Sequence, residues 1–372
     1  RLPFGDCSRK GYFVISLMKQ THPLWTINWL TVFVALILLT FGASILFGFA
    51  ESHGQNLGWN QIIFSVIGLF AMFTMTFVDY RSVRSLAWWL YLLSIILLVS
   101  VIIWGDKSFG AQRWIDFGFI KFQPSELVKI FYLVLLARFL SEREFFSPKH
   151  FIYLVCILSV PVIMIVSQPD LGTAMVYVAI FFVLLLYSKI PKSYWIILLV
   201  TLAVAMPVAF TRLKPYQKER ITSFLGTDSS VSYNVIQSKI AIGSGGLLGR
   251  GIGQGTQSQL QFLPVAYSDF IFAGIAEAIG FVGSIFLILA LIALILLCLK
   301  TALLADDKFG ELFCLGMATL FGFQMFVNIG GNLGLLPVTG IPLPLVSFGG
   351  TGIVSYLFGL GIVQSIYLRK KS

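Results

Sequence analysis

Asp269 stands where a polar, glycine-rich stretch meets a long apolar one, in FLPVAYSDFIFAGIAEAIGFVG, residues 262–283. The spacing 269–273–277 sets Asp269, Ala273 and Glu277 on one stripe of a helix. At 1.5 Å per residue, Glu277 lies about 12 Å further in. A carboxylate at the mouth of an apolar helix is hydrated enough to ionise, while apolar neighbours raise its affinity for a proton. That combination suits a general base acting on a weakly acidic hydroxyl. Glu277 reads as structural, hydrogen-bonded between helices.

A second ionisable pair lies in FQPSELVKI, residues 122–130. Pro124, Ser125 and Glu126 read as a helix start, with Pro and an acid in the first turn. Glu126 and Lys129 then share a face, three residues apart. Two readings stand: an ion pair that lets two charges sit near the top of a helix, or groups facing a cavity and working there. Further on, Gln324, Asn328 and Asn332 recur every four residues beside Gly330 and Gly331. Helix-to-helix hydrogen bonding through close-packed glycines explains that stripe. The connection LPVTGIPLPLVSFGGTG (336–352) has three prolines and a glycine pair, and its Ser347 reads as a structural polar residue. Broken backbone of this kind is tolerated at membrane depth only when buried in protein or lining a wet cavity.

The elements that hold these residues are apolar helices. Of 372 residues 58% are hydrophobic and 11% charged, with a mean hydropathy of +0.90; a soluble domain carries roughly twice that charge fraction. Apolar runs of about 20 residues recur along the chain, so the fold class is an all-α polytopic membrane protein. Ten spans are expected, at 27–49, 59–78, 85–104, 125–140, 150–167, 171–188, 193–211, 269–299, 309–333 and 344–368. With both termini inside, the inner connections and ends hold 16 of the 26 Lys and Arg, which satisfies the positive-inside rule. Residues 1–26 form a cytoplasmic N-terminal segment, 27–368 one transmembrane domain and 369–372 a cytoplasmic tail. Residues 1–17 read as upstream or added sequence, since Met18 begins a more natural start.

Two outer loops stand out. The first, 105–124, leads into the Glu126 helix. The second, 213–268, is far longer, and such loops are usually functional or disordered. It reads as structured: YNVIQSKIAIGSGGLLG (233–249) has helical apolar spacing at Val235, Ile236, Ile240 and Ile242, then a glycine stop. PYQKERI (215–221), with Lys214, gathers Lys214, Lys218 and Arg220 outside the membrane, either as solvated charge or as a site for something anionic. Cys7, Cys156, Cys298 and Cys314 are scattered without a CxxC, and His22, His53 and His150 are equally dispersed, so neither a disulfide nor a metal site is indicated. GSGGLLGRGIGQG (243–255) lacks the P-loop lysine and follows no strand, which argues against a nucleotide. The net charge of +10 fits a basic inner face and calls for no nucleic acid.

GAQRW (110–114) with FQPSELVK, SQPDLGTA (167–174), IQSKIAIGSGGLLGRGIGQGTQSQLQFLP (236–264), SDFIFAGIAEAIG (268–280) and GIPLPLVSFGGTG (340–352) resemble, in order, the signature blocks of the SEDS family of bacterial cell-wall polymerases. The resemblance runs from about residue 25 to the end. GTQSQLQFLP and the short LRKKS tail favour the rod-elongation branch over the division branch. What the resemblance implies is a peptidoglycan glycosyltransferase in the bacterial cytoplasmic membrane, its active site facing the periplasm, polymerising lipid II onto a glycan held by undecaprenyl pyrophosphate. Asp269 matches the family's essential acid and would activate the acceptor GlcNAc 4-hydroxyl. Trp114, Glu126 and Lys129 match other required positions. Arg113, Lys121 and Arg220 match basic residues that would hold pyrophosphate, with Lys218 beside Arg220 and Asp170 near them. The resemblance leaves room for a divalent cation, Mg or Mn, at the pyrophosphate. It also implies a class B penicillin-binding protein as partner, alongside other elongation-complex membrane proteins. The chain departs from the family at Val265, where most members carry an acid, and at Tyr267, where histidine is common. A division homologue of the same chemistry, a lipid II transporter and a non-catalytic scaffold are the alternatives. Clustering of ionisable residues on the outer side speaks against transport, and a scaffold has no need of Asp269 or Glu126.

Overall fold

The computed structural model describes residues 26–53, 56–108, 111–116, 118, 121–142, 147–188, 190–191, 193–198, 203, 211, 218, 233–260, 262–263 and 265–370. The N-terminal segment up to residue 25, most of the span expected at 193–211, and Arg220 lie outside them. In chain order the elements are α1 (Trp29–His53), α2 (Leu57–Phe77), the short α3 (Tyr80–Ser85), α4 (Ala87–Trp104), β1 (Asp106–Ser108), β2 (Ala111–Asp116), β3 (Lys121–Phe122) and α5 (Pro124–Ser141). Then follow α6 (Pro148–Ser167), α7 (Leu171–Tyr187), α8 (Tyr233–Ser244), α9 (Thr256–Gln259), α10 (Ile271–Leu304), α11 (Lys308–Asn332) and α12 (Gly350–Leu368).

Among the described residues seven helices are long and apolar enough to cross a membrane: α1, α2, α4, α6, α10, α11 and α12. This is a multi-span helical membrane protein. α7 is apolar but shorter. α5 carries Glu126, Lys129 and Arg138, yet 15 of its 18 residues are buried. It is the central helix, and its charges meet protein where a peripheral helix would meet lipid. Among the described residues helices therefore occupy nine of the ten expected spans; of the tenth, 193–211, the described stretch 193–198 is helical.

Three departures from the sequence reading have local causes. The first outer loop folds into a three-stranded antiparallel sheet in the order β1-β2-β3, pairing Asp106 with Trp114 and Ile115 with Phe122. The last helix begins at Gly350 and not near 344. Pro342, Pro344 and a positive φ of 61° at Leu345 keep the approach irregular. In α8 the helix is as expected but the buried positions are Ser238 and Ala241, while Ile236 and Ile240 are exposed.

The two ends of the bundle differ in chemistry. At one, Arg81 pairs with Asp306 (3.1 Å), Arg84 with Asp307 (3.3 Å) and Glu142 (3.4 Å), Arg138 with Glu142 (3.0 Å) and Arg369 with Asp79 (3.6 Å). These pairs tie the α2–α3 link, the end of α5, the α10–α11 link and the end of α12 together. Burial pushes the Tyr80 hydroxyl in this cluster up to about 12, with the Asp307 charge adding to the rise. At the opposite end lie the β-sheet and the starts of α5, α7, α10 and α12.

α10 is two helices meeting at Gly280, whose φ of 67° no β-carbon-bearing residue adopts easily. The break frees backbone groups that hydrocarbon cannot satisfy, and the glycine-rich loop supplies their partners. Arg250 N donates to Glu277 O (3.0 Å) and Gly251 N to Ala278 O (2.9 Å). In return Phe281 N donates to Gly246 O (2.9 Å) and Val282 N to Leu247 O (3.1 Å). A Cβ on Gly280 would strike the Gly249 nitrogen and the Leu247 carbonyl. Gly280→Ala is therefore expected to destabilise the purified protein by roughly 2 kcal/mol or more, read as a lower thermal midpoint in detergent.

Candidate active site

The turn leading into α10, the sheet, α5, α7, α12 and the 336–352 connection meet around a cavity of about 160 Å³. It is lined by Arg113 and Trp114 of β2, Gln123 and Glu126, Asp170 and Thr173, Ser268 and Asp269, and Ser347 to Gly349 with Thr351, Gly352 and Tyr356. Five of the residues expected to bind or react, Arg113, Trp114, Glu126, Asp170 and Asp269, thus share one space. Lys121 does not line it: the lysine is exposed on β3, 3.9 Å from Asp116. Lys218 also lies outside the lining, its ammonium donating to Thr211 O (3.4 Å). Neither a matched position, as for Lys121, nor a place in a basic loop, as for Lys218, gives a distance to the cavity.

Asp269 is held by its backbone. Its carbonyl accepts from Asn328 Nδ2 (3.1 Å) and Asn332 Nδ2 (2.9 Å), and Asn332 Oδ1 accepts from Ala273 N (3.0 Å) in the first turn of α10. The helix-to-helix bonding expected of that stripe is thus present, with the two asparagines directing it at the Asp269 backbone and the start of α10. Ser347 Oγ donates to Ser268 O (2.8 Å), Phe348 N donates to Tyr267 O (2.9 Å), and Ser268 Oγ donates to Asp269 Oδ1 (3.0 Å). Tyr267 packs edge-on against Phe348, with ring centroids 6.0 Å apart. Burial raises the Tyr267 phenol's pKa, and the Asp269 charge beside it adds to the rise.

Below the cavity Glu126 and Lys129 form the expected ion pair, and Glu126 also lines the cavity. Lys129 Nζ donates to Glu126 Oε1 (2.8 Å), Tyr356 OH donates to Glu126 Oε2 (2.9 Å), and Gln324 Nε2 donates to Tyr356 OH (3.0 Å). Glu126 is 3% exposed and Lys129 1%, so the pair is desolvated while one carboxylate edge faces the cavity. A Cβ on Gly352 would sit 3.2 Å from Glu126 Oε2, so the glycine lets the helix approach the carboxylate. Tyr356, backed by Gln324, and Thr351 (whose Oγ1 accepts from Gln123 N, 3.1 Å) complete the wall. Gln324 was visible as part of the polar stripe, but single hydroxyls in apolar helices give no pattern until their partners are known.

Glu277 is fully buried and belongs elsewhere. Its carboxylate accepts from Gln257 N (2.8 Å) and Ser258 N (3.0 Å), first-turn amides of α9, so it makes the helix-to-helix bond expected of it and thereby pins the outer loop. Asp170 caps α7 through Thr173 N (3.2 Å) and lies 3.7 Å from Arg113, which also donates to the Gln168 and Pro169 carbonyls. α5, α7, α10 and α12 all begin at the cavity, and each helix start carries about half a positive charge. The cavity thus presents one base-type carboxylate, a guanidinium and several helix N-termini. Among the described residues no three of His, Cys, Asp and Glu gather as metal ligands. With Glu126 and Asp170 already bonded, the donor set does not fit a resident cation.

The family model for FtsW/RodA/SpoVE, described as cell cycle protein, matches residues 21–372. The chain belongs to that family. It is 38% identical over 346 residues to the peptidoglycan glycosyltransferase MrdB of Escherichia coli K12, covering 91% of this chain and 92% of the relative. Among solved structures it resembles the rod shape determining protein RodA of Thermus thermophilus, with a TM-score of 0.71, 28% identity, and 94% and 100% of the two chains covered. It also resembles a chain in a structure described as the structural coordination of polymerization and crosslinking by a peptidoglycan synthase complex, with a TM-score of 0.77, 29% identity, and 92% and 97% covered.

In this FtsW/RodA/SpoVE member Val265 has a φ of 58°. That conformation is unfavourable for a β-branched residue and costs of order 1–3 kcal/mol. Asp and Asn tolerate it better. Val265→Asn is expected to raise the thermal midpoint of the purified protein. Lys129→Met alone leaves a buried, unpaired Glu126 and should cost about 3–5 kcal/mol. Adding Glu126→Leu should recover most of that loss in the same unfolding measurement.

Proposed function

We infer that this chain is a peptidoglycan glycosyltransferase that polymerises lipid II on the outer face of the bacterial cytoplasmic membrane during cell elongation. The observation that carries the reading is Asp269 in one cavity with Arg113 and the starts of four helices. Lipid II presents its GlcNAc 4-hydroxyl to the Asp269 carboxylate, which takes the proton as the oxygen attacks the anomeric carbon of the growing strand. A carbon–oxygen bond forms there, the bond to the pyrophosphate oxygen breaks, and undecaprenyl pyrophosphate leaves with the electron pair. Arg113, oriented by Asp170, offsets charge developing on the leaving group, and the N-termini of α5, α7 and α12 add to it. Glu126, fixed by Lys129 and Tyr356, acts as a stationary charge in the wall.

The ion-paired end of the bundle is the cytoplasmic one, as the basic inner connections suggest. A cavity at the opposite end and a fully packed α5 beneath it favour polymerisation over transport. A class B penicillin-binding protein that cross-links the strands is the natural partner, together with other elongation proteins, and the likeness to a chain of a peptidoglycan synthase complex supports it.

Polymerisation of labelled lipid II by the purified chain with its partner tests the reading. Asp269→Asn is expected to slow strand formation by about 10²–10⁴-fold, and an unchanged rate would remove Asp269 as the base. Arg113→Ala should lower kcat/KM by roughly 10–100-fold through loss of a charged hydrogen-bond donor.

A further inference from the structure

The glycine-rich loop that caps the α10 break ends in two leucines that the described bundle leaves uncovered: Leu247 is 71% exposed and Leu248 81%. Their backbone places them. Because Phe281 N and Val282 N donate to the Gly246 and Leu247 carbonyls, the leucines stand beside Phe281 and Val282, which are 59% and 57% exposed. Those two head the segment 281–304, whose 24 residues measure about 36 Å and cross a hydrocarbon core unaided. Its outward row continues through Phe286, Leu289 and Leu296. The leucines extend a lipid-facing row; they are not an island on a water-facing surface.

The other flank of the loop gives the same height. Ile252 and Gly253 lie against Gly48 of α1. One residue away, Phe47 meets the exposed Trp59 edge-on, with centroids 5.5 Å apart. Exposed Trp at a helix end marks the membrane–water boundary. Much of the loop's backbone is bonded within the protein: the Gly246 and Leu247 carbonyls and the Arg250 and Gly251 amides across the break, and Gly249 N to Gly245 O (2.8 Å).

We propose that Leu247 and Leu248 insert among the acyl chains of bulk phospholipid in the leaflet at the cavity end, making the glycine loop a lipid-seated wedge against the α10 break. The wedge ties the outer half of α10, and with it Asp269, to the depth of the bilayer surface. It rests on the helix break and the spans, not on the reaction.

The test uses the full chain with Cys7 and Cys156 replaced by Ser, in phosphatidylcholine nanodiscs free of polyprenyl lipid, with bimane attached at Leu248→Cys. Phe286→Cys reports a lipid-facing site and Gln254→Cys an exposed loop site. The wedge predicts that a doxyl group high on the acyl chain quenches Leu248→Cys as it does Phe286→Cys, while aqueous iodide quenches it far less than Gln254→Cys. Iodide quenching equal to that at Gln254→Cys, without doxyl quenching, overturns the proposal. So does protection that appears only after a polyprenyl lipid or a partner protein is added. Leu247→Cys repeats the measurement should Leu248→Cys fail to fold.

Discussion

Inside a bilayer no water waits to bond a carbonyl or amide that has lost its helical partner, and that constraint shapes the whole cavity end of this protein. Helices are interrupted there at Gly280, across 336–349 and before Asp269, and each interruption is closed by protein groups. The loop at 246–251 closes the first with four backbone bonds. Asn328 closes another by donating to both the Asp269 and Ile341 carbonyls. Ser347 links the last two, accepting from Leu343 N and donating to Ser268 O. The carboxylate that matters for chemistry is therefore placed by bonds to its main chain, leaving its side chain turned to the cavity.

The charged pair beneath obeys the same rule in side-chain form. An isolated ammonium or carboxylate at 1–3% exposure would cost several kcal/mol. Lys129 and Glu126 avoid that through each other, through Tyr356 and, behind it, through Gln324. Such a network gives little net stability over an apolar replacement. What it gives is a negative edge at a fixed position in the cavity wall, with Gly352 keeping the facing helix thin enough to leave that edge exposed to the site.

Much of this was legible in the residues because membrane sequences make polar groups conspicuous. Asp269, the i, i+3 pair and the asparagine stripe were visible as exceptions to an apolar background, and the span pattern follows from hydrocarbon thickness. What escaped was relational. Three short strands of mixed polarity carry no strong period, so β1 to β3 were invisible. A single tyrosine or threonine in an apolar helix becomes informative only when its partner is known, as with Tyr356 and Thr351. Gly280 looked like one more glycine in a helix, because its meaning lies in a loop some thirty residues upstream. Basic residues in the outer loops looked equivalent, yet among the described ones only Arg113 lines the cavity, brought there by its place in β2 and by the carbonyls after α6.

Cavity size then limits what the enclosed part of the site can hold. About 160 Å³ is below the roughly 300 Å³ at which pockets for whole small molecules begin. The enclosed space suits the reacting atoms (a hydroxyl, an anomeric carbon, phosphate oxygens) while sugars and prenyl chains extend beyond it. That division agrees with the two surroundings the fold provides at the same height. Asp269 and Arg113 open to a polar recess, and the row from Leu247 to Leu296 faces lipid a few turns away. A polar headgroup on a long hydrocarbon anchor needs both surroundings at the boundary, and the break at Gly280 allows one helix to serve the two. Its outer half begins at the recess, two residues after Asp269. Its inner half stays in the hydrocarbon.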